Sequence, residues 1–188
     1  MTQGVIVFLN GASSAGKTSI ALALQDLFDE PYLLVGLDSA LSILPERFRT
    51  FENPDNHKAI RAAISGAHHG IAALASTNNN VIVDHILSEE HEFIECVLLL
   101  SHFTVFFVGV HCELHELEKR EAMRNHKMGV VKSQLESVHA LGVYDIEVDT
   151  THIGTQSCAI EIKKKVESGI SPTAFRKILD QICLDKTS

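Results

Sequence analysis

An eight-residue segment near the start of the chain, GASSAGKT at residues 11–18, has the residue types and spacing of a phosphate-binding loop. It fits the pattern G-x-x-x-x-G-K-[S/T], follows an apolar run and precedes a helical pattern. Glycine permits the tight turns that aim backbone N–H groups at an anion, and the N-terminus of the next helix adds unpaired N–H groups and a positive dipole end. The segment therefore predicts a bound nucleoside triphosphate, and the alternative is a strand–helix turn that binds nothing.

Two side chains of this segment have distinct predicted roles. Lys17 can reach the β- and γ-phosphates, and the Thr18 hydroxyl can bind Mg²⁺. The rest of the segment would contribute its backbone. The predicted ATP-binding residues of the loop are Gly11, Ala12, Ser13, Ser14, Ala15, Gly16, Lys17 and Thr18.

Two aspartates follow apolar runs that are typical of buried strands. Asp84 ends the run VIVD, where it could hold the Mg²⁺ shell through water or orient a hydroxyl, with a helix or loop cap as the alternative. Asp38 follows YLLVGL and has two open interpretations. It is either an N-cap for a helix that contains Leu41 and Leu44 or a functional carboxylate.

Basic residues cluster on one predicted helix and just beyond it. Arg120 and Arg124 lie four residues apart on a charged helix that is predicted from about residue 113 to 124, and Lys127 follows. At this spacing the two arginines share one helix face and could converge on phosphate oxygens. The alternative is a solvated face on which they pair with Glu113, Glu116, Glu118 and Glu121.

The segments that must position these residues alternate between apolar runs and amphipathic stretches. The runs predict five strands, at residues 5–9, 32–37, 81–84, 103–110 and 144–150. Alternation of strands with helices favours a parallel sheet covered on both faces. We therefore predict a three-layer α/β/α fold with a five-stranded parallel sheet in a single domain over residues 1–188. Ser88 is the predicted N-cap of the helix after the third strand.

Ligands of parallel α/β sheets bind beyond the carboxyl ends of the strands. The residues that directly follow predicted strands are therefore candidates for an acceptor-binding site. These residues are Asp38, Ser39, Asp84 and His85. His139 is a further candidate for the same pocket.

The chain contains eleven histidines, which raises the question of a metal centre. His111 and His115 lie four residues apart with Cys112 between them, but no third ligand is spaced to complete a zinc site. His68 and His69 are expected on a helix whose apolar stripe excludes them. Metal binding by histidine is therefore not expected.

Composition and charge limit the classes of partner. The net charge of −8 argues against a general nucleic-acid-binding protein, which needs a basic face. No run of about 18 or more apolar residues predicts a membrane span, and MTQGVIVFL does not have the pattern of a signal peptide. The four cysteines form no C-x-x-C pair and are expected to be free thiols in a reducing cytoplasm.

Several segments together resemble the chloramphenicol phosphotransferase family. They are LNGASSAGKTSIALALQ, VGLDSALSILP, VIVDHIL, FVGVHCELHELEKREAMRNHKMG and VHALGVYDIEVDTTH. The resemblance covers most of residues 4–152. It implies a P-loop kinase fold of the nucleoside-monophosphate-kinase type and transfer of the γ-phosphate of ATP to a primary hydroxyl of chloramphenicol.

The resemblance also implies roles for individual residues. Residues 11–18 would bind ATP, and Asp38 would be the catalytic base. Arg120 and Arg124 would belong to a lid around residues 119–132 that covers the phosphates. One member of the family has arginine at the position of Lys127 and a second acid at the position of His85, and it carries more tryptophan than this chain, which has none.

We therefore expect a cytoplasmic, Mg²⁺- and ATP-dependent O-phosphotransferase that acts on a small molecule with an accessible hydroxyl. Lys17, Asp38, Arg120 and Arg124 are its expected catalytic residues, and Lys127 is expected to contact ATP. A nucleoside or nucleotide kinase of the same fold is the first alternative, because the fold does not determine the acceptor. The second alternative is a regulator that binds ATP without transferring phosphate.

Overall fold

The computed structural model describes residues 3–50, 52–123, 130–140 and 143–185. The strands of the described chain are β1 (Val5–Asn10), β2 (Tyr32–Gly36), β3 (Asn80–His85), β4 (Thr104–His111) and β5 (Ile146–Asp149). They form one sheet in the order β2-β3-β1-β4-β5, and every neighbouring pair is parallel. The predicted five-stranded parallel sheet is confirmed.

Helices connect the strands and cover both faces of the sheet. The described helices are α1 (Lys17–Leu27), α2 (Leu37–Ser42), α3 (His57–Ser76), α4 (Glu90–Leu100), α5 (Leu114–Met123), α6 (Val130–Val138), α7 (Thr155–Val166) and α8 (Ala174–Asp185). Two short 3₁₀ turns, Glu46–Phe48 and Pro54–Asn56, lie between α2 and α3. None of the helices in the described part of the chain combines the length and apolarity needed to cross a membrane.

Strand β1 is buried on both faces, which explains its continuous apolar run. Val7 and Leu9 face a core lined by α1, α6 and α7. Ile6 and Phe8 face a second core lined by α3, α4 and α8. Each of these four side chains is fully buried, and burial of such a side chain contributes about 1.5–3 kcal/mol to stability. The predicted three layers are therefore two helical layers on a central sheet.

The carboxyl ends of the strands form one edge of the sheet. Asn10 pairs in register with His85 on one side and with Gly109 on the other, and Gly36 pairs with Asp84. The loop of residues 11–18 and the beginning of α2 leave the sheet at this edge.

The side chain of Asn10 forms hydrogen bonds to three neighbouring segments at this edge. Its Nδ2 donates to the Val138 carbonyl oxygen at 2.8 Å and to the Tyr144 hydroxyl at 3.0 Å, and its Oδ1 accepts from the Leu87 N–H at 2.9 Å. The Tyr144 ring lies over Gly109, where an added Cβ would come within 2.8 Å of the ring. The last residue of β1 therefore links α6, the loop after β3 and the chain before β5.

Two predicted caps are wrong. The N-cap of α4 is Glu89, and Ser88 lies one residue earlier. The N-cap of α2 is Gly36, so Asp38 lies inside the first turn of the helix and does not precede it. Both errors concern helix starts, which short-range patterns locate only to within a residue or two.

Candidate active site

In the loop of residues 11–18, the two glycines of the motif occupy positions at which a larger residue is disfavoured. Gly16, the N-cap of α1, has a φ of 93°, and Ser14 has a φ of 61°. Both values lie in the left-handed region, which glycine adopts freely and other residues rarely adopt. At Gly11 an added Cβ would lie 2.4 Å from the Val110 carbonyl oxygen, so no side chain fits there. One motif glycine is thus needed for its conformation and the other for close packing.

The side chains of Lys17 and Thr18, at the end of this loop, contact Asp84 of β3. The Lys17 side chain is buried, its Nζ donates to the Ala12 carbonyl oxygen at 2.9 Å, and it lies 3.9 Å from Asp84 Oδ1. The Thr18 Oγ1 donates to Asp84 Oδ2 at 2.6 Å. Two residues of the loop are therefore joined to an acid that lies 66 positions after Thr18 in the chain. A hydroxyl and a carboxylate are oxygen donors of the kind that Mg²⁺ prefers, so this donor set fits that ion.

Arg120 reaches the same loop from α5. Its guanidinium donates to the carbonyl oxygen of Thr150 at 2.7 Å, to the Oγ1 of Thr150 at 3.1 Å and to the Ser14 carbonyl oxygen at 3.5 Å. Its Nε donates to Glu116 at 3.0 Å, so the predicted glutamate pairing also occurs. Thr150 is buried, and its Oγ1 donates to the Ala15 carbonyl oxygen at 2.8 Å. Arg120 and Thr150 together clamp the loop from the side of β5.

The other two predicted lid cations, Arg124 and Lys127, lie outside the described residues. The described parts of the predicted lid are the end of α5 and the beginning of α6.

Helix α6 contributes a contact that the sequence did not indicate. The Ser13 N–H donates to Gln134 Oε1 at 2.9 Å. The helix is anchored by Val131 and Val138, which are buried in the same core as Ala12. A glutamine within an amphipathic helix has no local pattern that predicts this contact. The contact of Thr150 with the loop was not predicted either, although Thr150 follows directly after a strand.

Asp38 and Ser39 lie in the first turn of α2. This turn follows β2 directly, and the last residue of β2, Gly36, pairs with Asp84. The side chain of Asp38 lies outside the described part of the structure. Ser39 is exposed, and its carbonyl oxygen accepts from Ser42 Oγ at 2.7 Å. The backbone therefore brings these two candidates to the edge of the sheet at which the loop lies.

His85 belongs to a buried network on the opposite face of β3 from Asp84. Its Nε2 lies 2.9 Å from Nε2 of His68, whose Nδ1 lies 2.5 Å from Glu95 Oε2. Glu95 also accepts from Ser65 Oγ at 2.6 Å. His68 is fully buried, so its expected exclusion from the apolar face of α3 is wrong. The two hydrogen-bonding partners make a buried imidazole tolerable at that position.

Burial makes His85 a neutral group at physiological pH. Desolvation, together with the like charges of His68 and Lys17, lowers the pKa of His85 to about 3. Burial also lowers the pKa of His68, and the hydrogen bond to Glu95 opposes this effect. The network therefore supplies hydrogen-bonding groups beneath the site and no positive charge from His85.

His139 lies on the other side of β1, beside the end of β4. Its Nδ1 lies 2.7 Å from the Tyr144 hydroxyl, and its ring stacks on His111 with ring centroids 4.2 Å apart. Burial and the charges of His111 and Lys17 lower the pKa of His139 to about 4. The two histidines predicted for the acceptor pocket, His85 and His139, are therefore separated by the strand that carries the loop.

Two open clefts lie at the opposite edge of the sheet. Their volumes are about 490 Å³ and 500 Å³, and both are lined by Thr104, Ser171 and Pro172. They lie at the amino ends of the strands and contain none of the predicted site residues. They have no part in the candidate active site.

The parallel sheet, the two helical layers and the glycine-rich loop between β1 and α1 define a P-loop kinase fold. The fold is similar to that of the Mycobacterium tuberculosis APS kinase in complex with AMPPNP and APS, with a TM-score of 0.67 and 16% identity over 89% of this chain and 99% of that chain. It is also similar to shikimate kinase from Acinetobacter baumannii in complex with shikimate, with a TM-score of 0.64 and 12% identity over 89% of this chain and 94% of that chain.

The chain belongs to the chloramphenicol phosphotransferase-like protein family, whose model matches residues 4–167. A Mycobacterium tuberculosis relative named "Putative O-phosphotransferase" is 27% identical over 200 residues, which cover 95% of this chain and 89% of the relative. The family that the sequence segments resemble is thereby confirmed.

Proposed function

We propose that this protein transfers the γ-phosphate of ATP to a hydroxyl group of a small molecule, with Mg²⁺ as the cofactor. Family membership and the P-loop kinase fold support a phosphotransferase of the kinase type. The observation that carries the more specific proposal is the meeting of Lys17, Thr18 and Asp84 at the carboxyl edge of the sheet.

In the proposed reaction, the acceptor oxygen forms a bond to the γ-phosphorus while the bond from phosphorus to the β,γ-bridging oxygen breaks. ADP leaves, and the proton of the acceptor hydroxyl passes to a base. The N–H groups of the loop and the Lys17 ammonium stabilise negative charge on the phosphoryl oxygens. Mg²⁺, when bound, neutralises phosphate charge. Thr18 and Asp84 would hold the ion, directly or through water.

Asp38 is the proposed base. Its backbone lies at the carboxyl end of β2, beside the strand that carries Asp84. A carboxylate within hydrogen-bonding distance of the acceptor hydroxyl can orient it and accept its proton. Ser39, His85 and His139 are the other proposed residues of the acceptor site. The lowered pKa values of the two histidines favour hydrogen bonding by neutral rings and not the binding of a second anionic group.

The lid cations are proposed to act on the transferring phosphoryl group. Arg120 is held beside the loop by Thr150, so its charge is already close to the phosphate site. Arg124 and Lys127 are proposed to contact the phosphates of ATP as well. A cation at this position is most useful in the transition state, when charge spreads over the phosphoryl oxygens.

Release of ADP, measured with Mg²⁺, ATP and a panel of hydroxyl compounds, tests the proposal. The panel should contain chloramphenicol, because the family description names it, together with nucleosides and nucleoside monophosphates. Turnover with a nucleoside or nucleotide would favour the first alternative. ATP binding without turnover on any compound would favour a regulator.

Asp38→Asn tests the catalytic base directly. The substitution preserves shape but removes the proton-accepting charge, so transfer should fall about 10²–10⁴-fold. ATP affinity and melting temperature should stay nearly unchanged. Asp55→Asn, an exposed aspartate in the second 3₁₀ turn, is the matched control and should leave transfer intact. Retained turnover in Asp38→Asn would exclude the carboxylate as the base.

A further inference from the structure

One peptide unit of the loop is held at both of its polar atoms. The Ala12 carbonyl oxygen accepts from Lys17 Nζ at 2.9 Å, and the N–H of the same peptide, on Ser13, donates to Gln134 Oε1 at 2.9 Å. Because a peptide unit is rigid and planar, these two hydrogen bonds cannot change independently. Rotation of this unit would break both contacts at once.

The position of Gln134 relative to this peptide unit is fixed by the packing of α6. Val131 and Val138 lie one turn before and one turn after it on α6, and both are buried in the core that also contains Ala12 and Ala15. The helix and the loop therefore pack as one body. The Ser13 N–H also determines that Oε1, and not Nε2, of the Gln134 side chain faces the loop, because only the oxygen of a glutamine side chain accepts a hydrogen bond.

We propose that Gln134 is a positioning residue for Lys17. By accepting from the Ser13 N–H, it fixes the Ala12–Ser13 peptide, whose carbonyl oxygen holds the ammonium where the β- and γ-phosphates bind. A lysine ammonium on a flexible four-carbon stem requires such a fixed acceptor to stay in one place. The inference rests on the proposed function, because Lys17 is proposed to bind the phosphates of ATP.

A double-mutant cycle in nucleotide binding tests the proposal. Isothermal titration calorimetry would measure the affinity of the full chain for Mg²⁺–AMPPNP, a non-hydrolysable ATP analogue. Gln134→Met preserves the length of the side chain and removes the acceptor oxygen. It should weaken binding five- to tenfold in the parent but less than twofold in Lys17→Ala, because the ammonium through which it acts is then absent.

Two controls keep the result interpretable. Glu136→Gln changes an exposed side chain on the same helix and should leave affinity unchanged in both backgrounds. Melting temperatures show whether each variant is folded, and Gln134→Leu replaces Gln134→Met if the latter is not.

The possible results separate the inference from the proposed function. Equal losses of affinity in the two backgrounds, or no loss in either, would overturn the role of Gln134 while leaving ATP binding established. Tighter binding by Gln134→Met would also overturn it, because it would mean that the glutamine blocks an N–H group that phosphate needs. If the parent itself binds no AMPPNP, the proposed function fails and the inference fails with it.

Discussion

The buried histidine network predicts a specific dependence of stability on pH. The pKa of His85 is about 3 in the folded protein, compared with 6.5 for an ordinary histidine. Below pH 6.5 the unfolded chain therefore binds a proton that the folded protein does not bind. The stability that His85 contributes is fully present above pH 6.5 and is lost as the pH falls toward 3. Between pH 7.5 and pH 5 the two pKa values predict a loss of about 2 kcal/mol.

The parent protein alone cannot report this loss, because an acidic residue acts in the opposite direction. Burial and the nearby charges of Glu89 and Glu95 raise the pKa of Glu92 to about 7. Its protonation on acidification therefore stabilises the folded state and offsets the effect of His85. Comparison with a His85 variant cancels the contribution of Glu92, because Glu92 is present in both proteins.

His85→Phe is the appropriate variant, since it removes the titrating ring and can preserve the stacking of a flat ring on Phe8. Urea denaturation at pH 7.5 and pH 5 gives the free energy of unfolding of each protein. At pH 7.5 the variant should be less stable, because His68 loses its partner. At pH 5 the free energy of unfolding of the variant, relative to that of the parent, should be about 2 kcal/mol higher than at pH 7.5. The exposed His69, changed to glutamine, is the control and should show no such shift.

A difference in stability between the parent and His85→Phe that is the same at both pH values would contradict the low pKa of His85. It would mean that the folded protein accepts a proton at His85 as readily as the unfolded chain does.

Three further predictions concern the loop and its neighbours. Lys17→Ala should abolish phosphoryl transfer and leave the fold intact, and turnover within about threefold of the parent would contradict its role. Arg120→Ala should lower kcat more than it weakens ATP binding, whereas weaker ATP binding with an unchanged kcat would indicate a ground-state contact only. Gly11→Ala should lower the free energy of unfolding by roughly 1–3 kcal/mol, because its Cβ would meet the Val110 carbonyl oxygen at 2.4 Å. Gly66→Ala, inside α3 where no atom lies within 4 Å of the added Cβ, is the control and should not lower the free energy of unfolding.

Local sequence patterns were sufficient to predict the fold class and the phosphate-binding motif. Both depend on neighbouring residues: the apolar run of β1, the glycine spacing of the loop and the start of α1 are contiguous in the chain. The acidic end of β3 was predictable for a related reason. The carboxyl ends of parallel strands share one edge of the sheet, so a residue that follows a strand has a known destination.

The contacts between distant side chains at the site depend on the packing of the folded chain. Gln134 contacts Ser13 across 121 positions, and Arg120 contacts Thr150 across 30. No local pattern encodes such pairs, because each depends on how two helices pack on the finished sheet. His68 shows the same limit in burial. Its polarity predicted exposure, but its partners on β3 and α4 satisfy the ring inside the core, and a polar group with buried partners no longer has to face water.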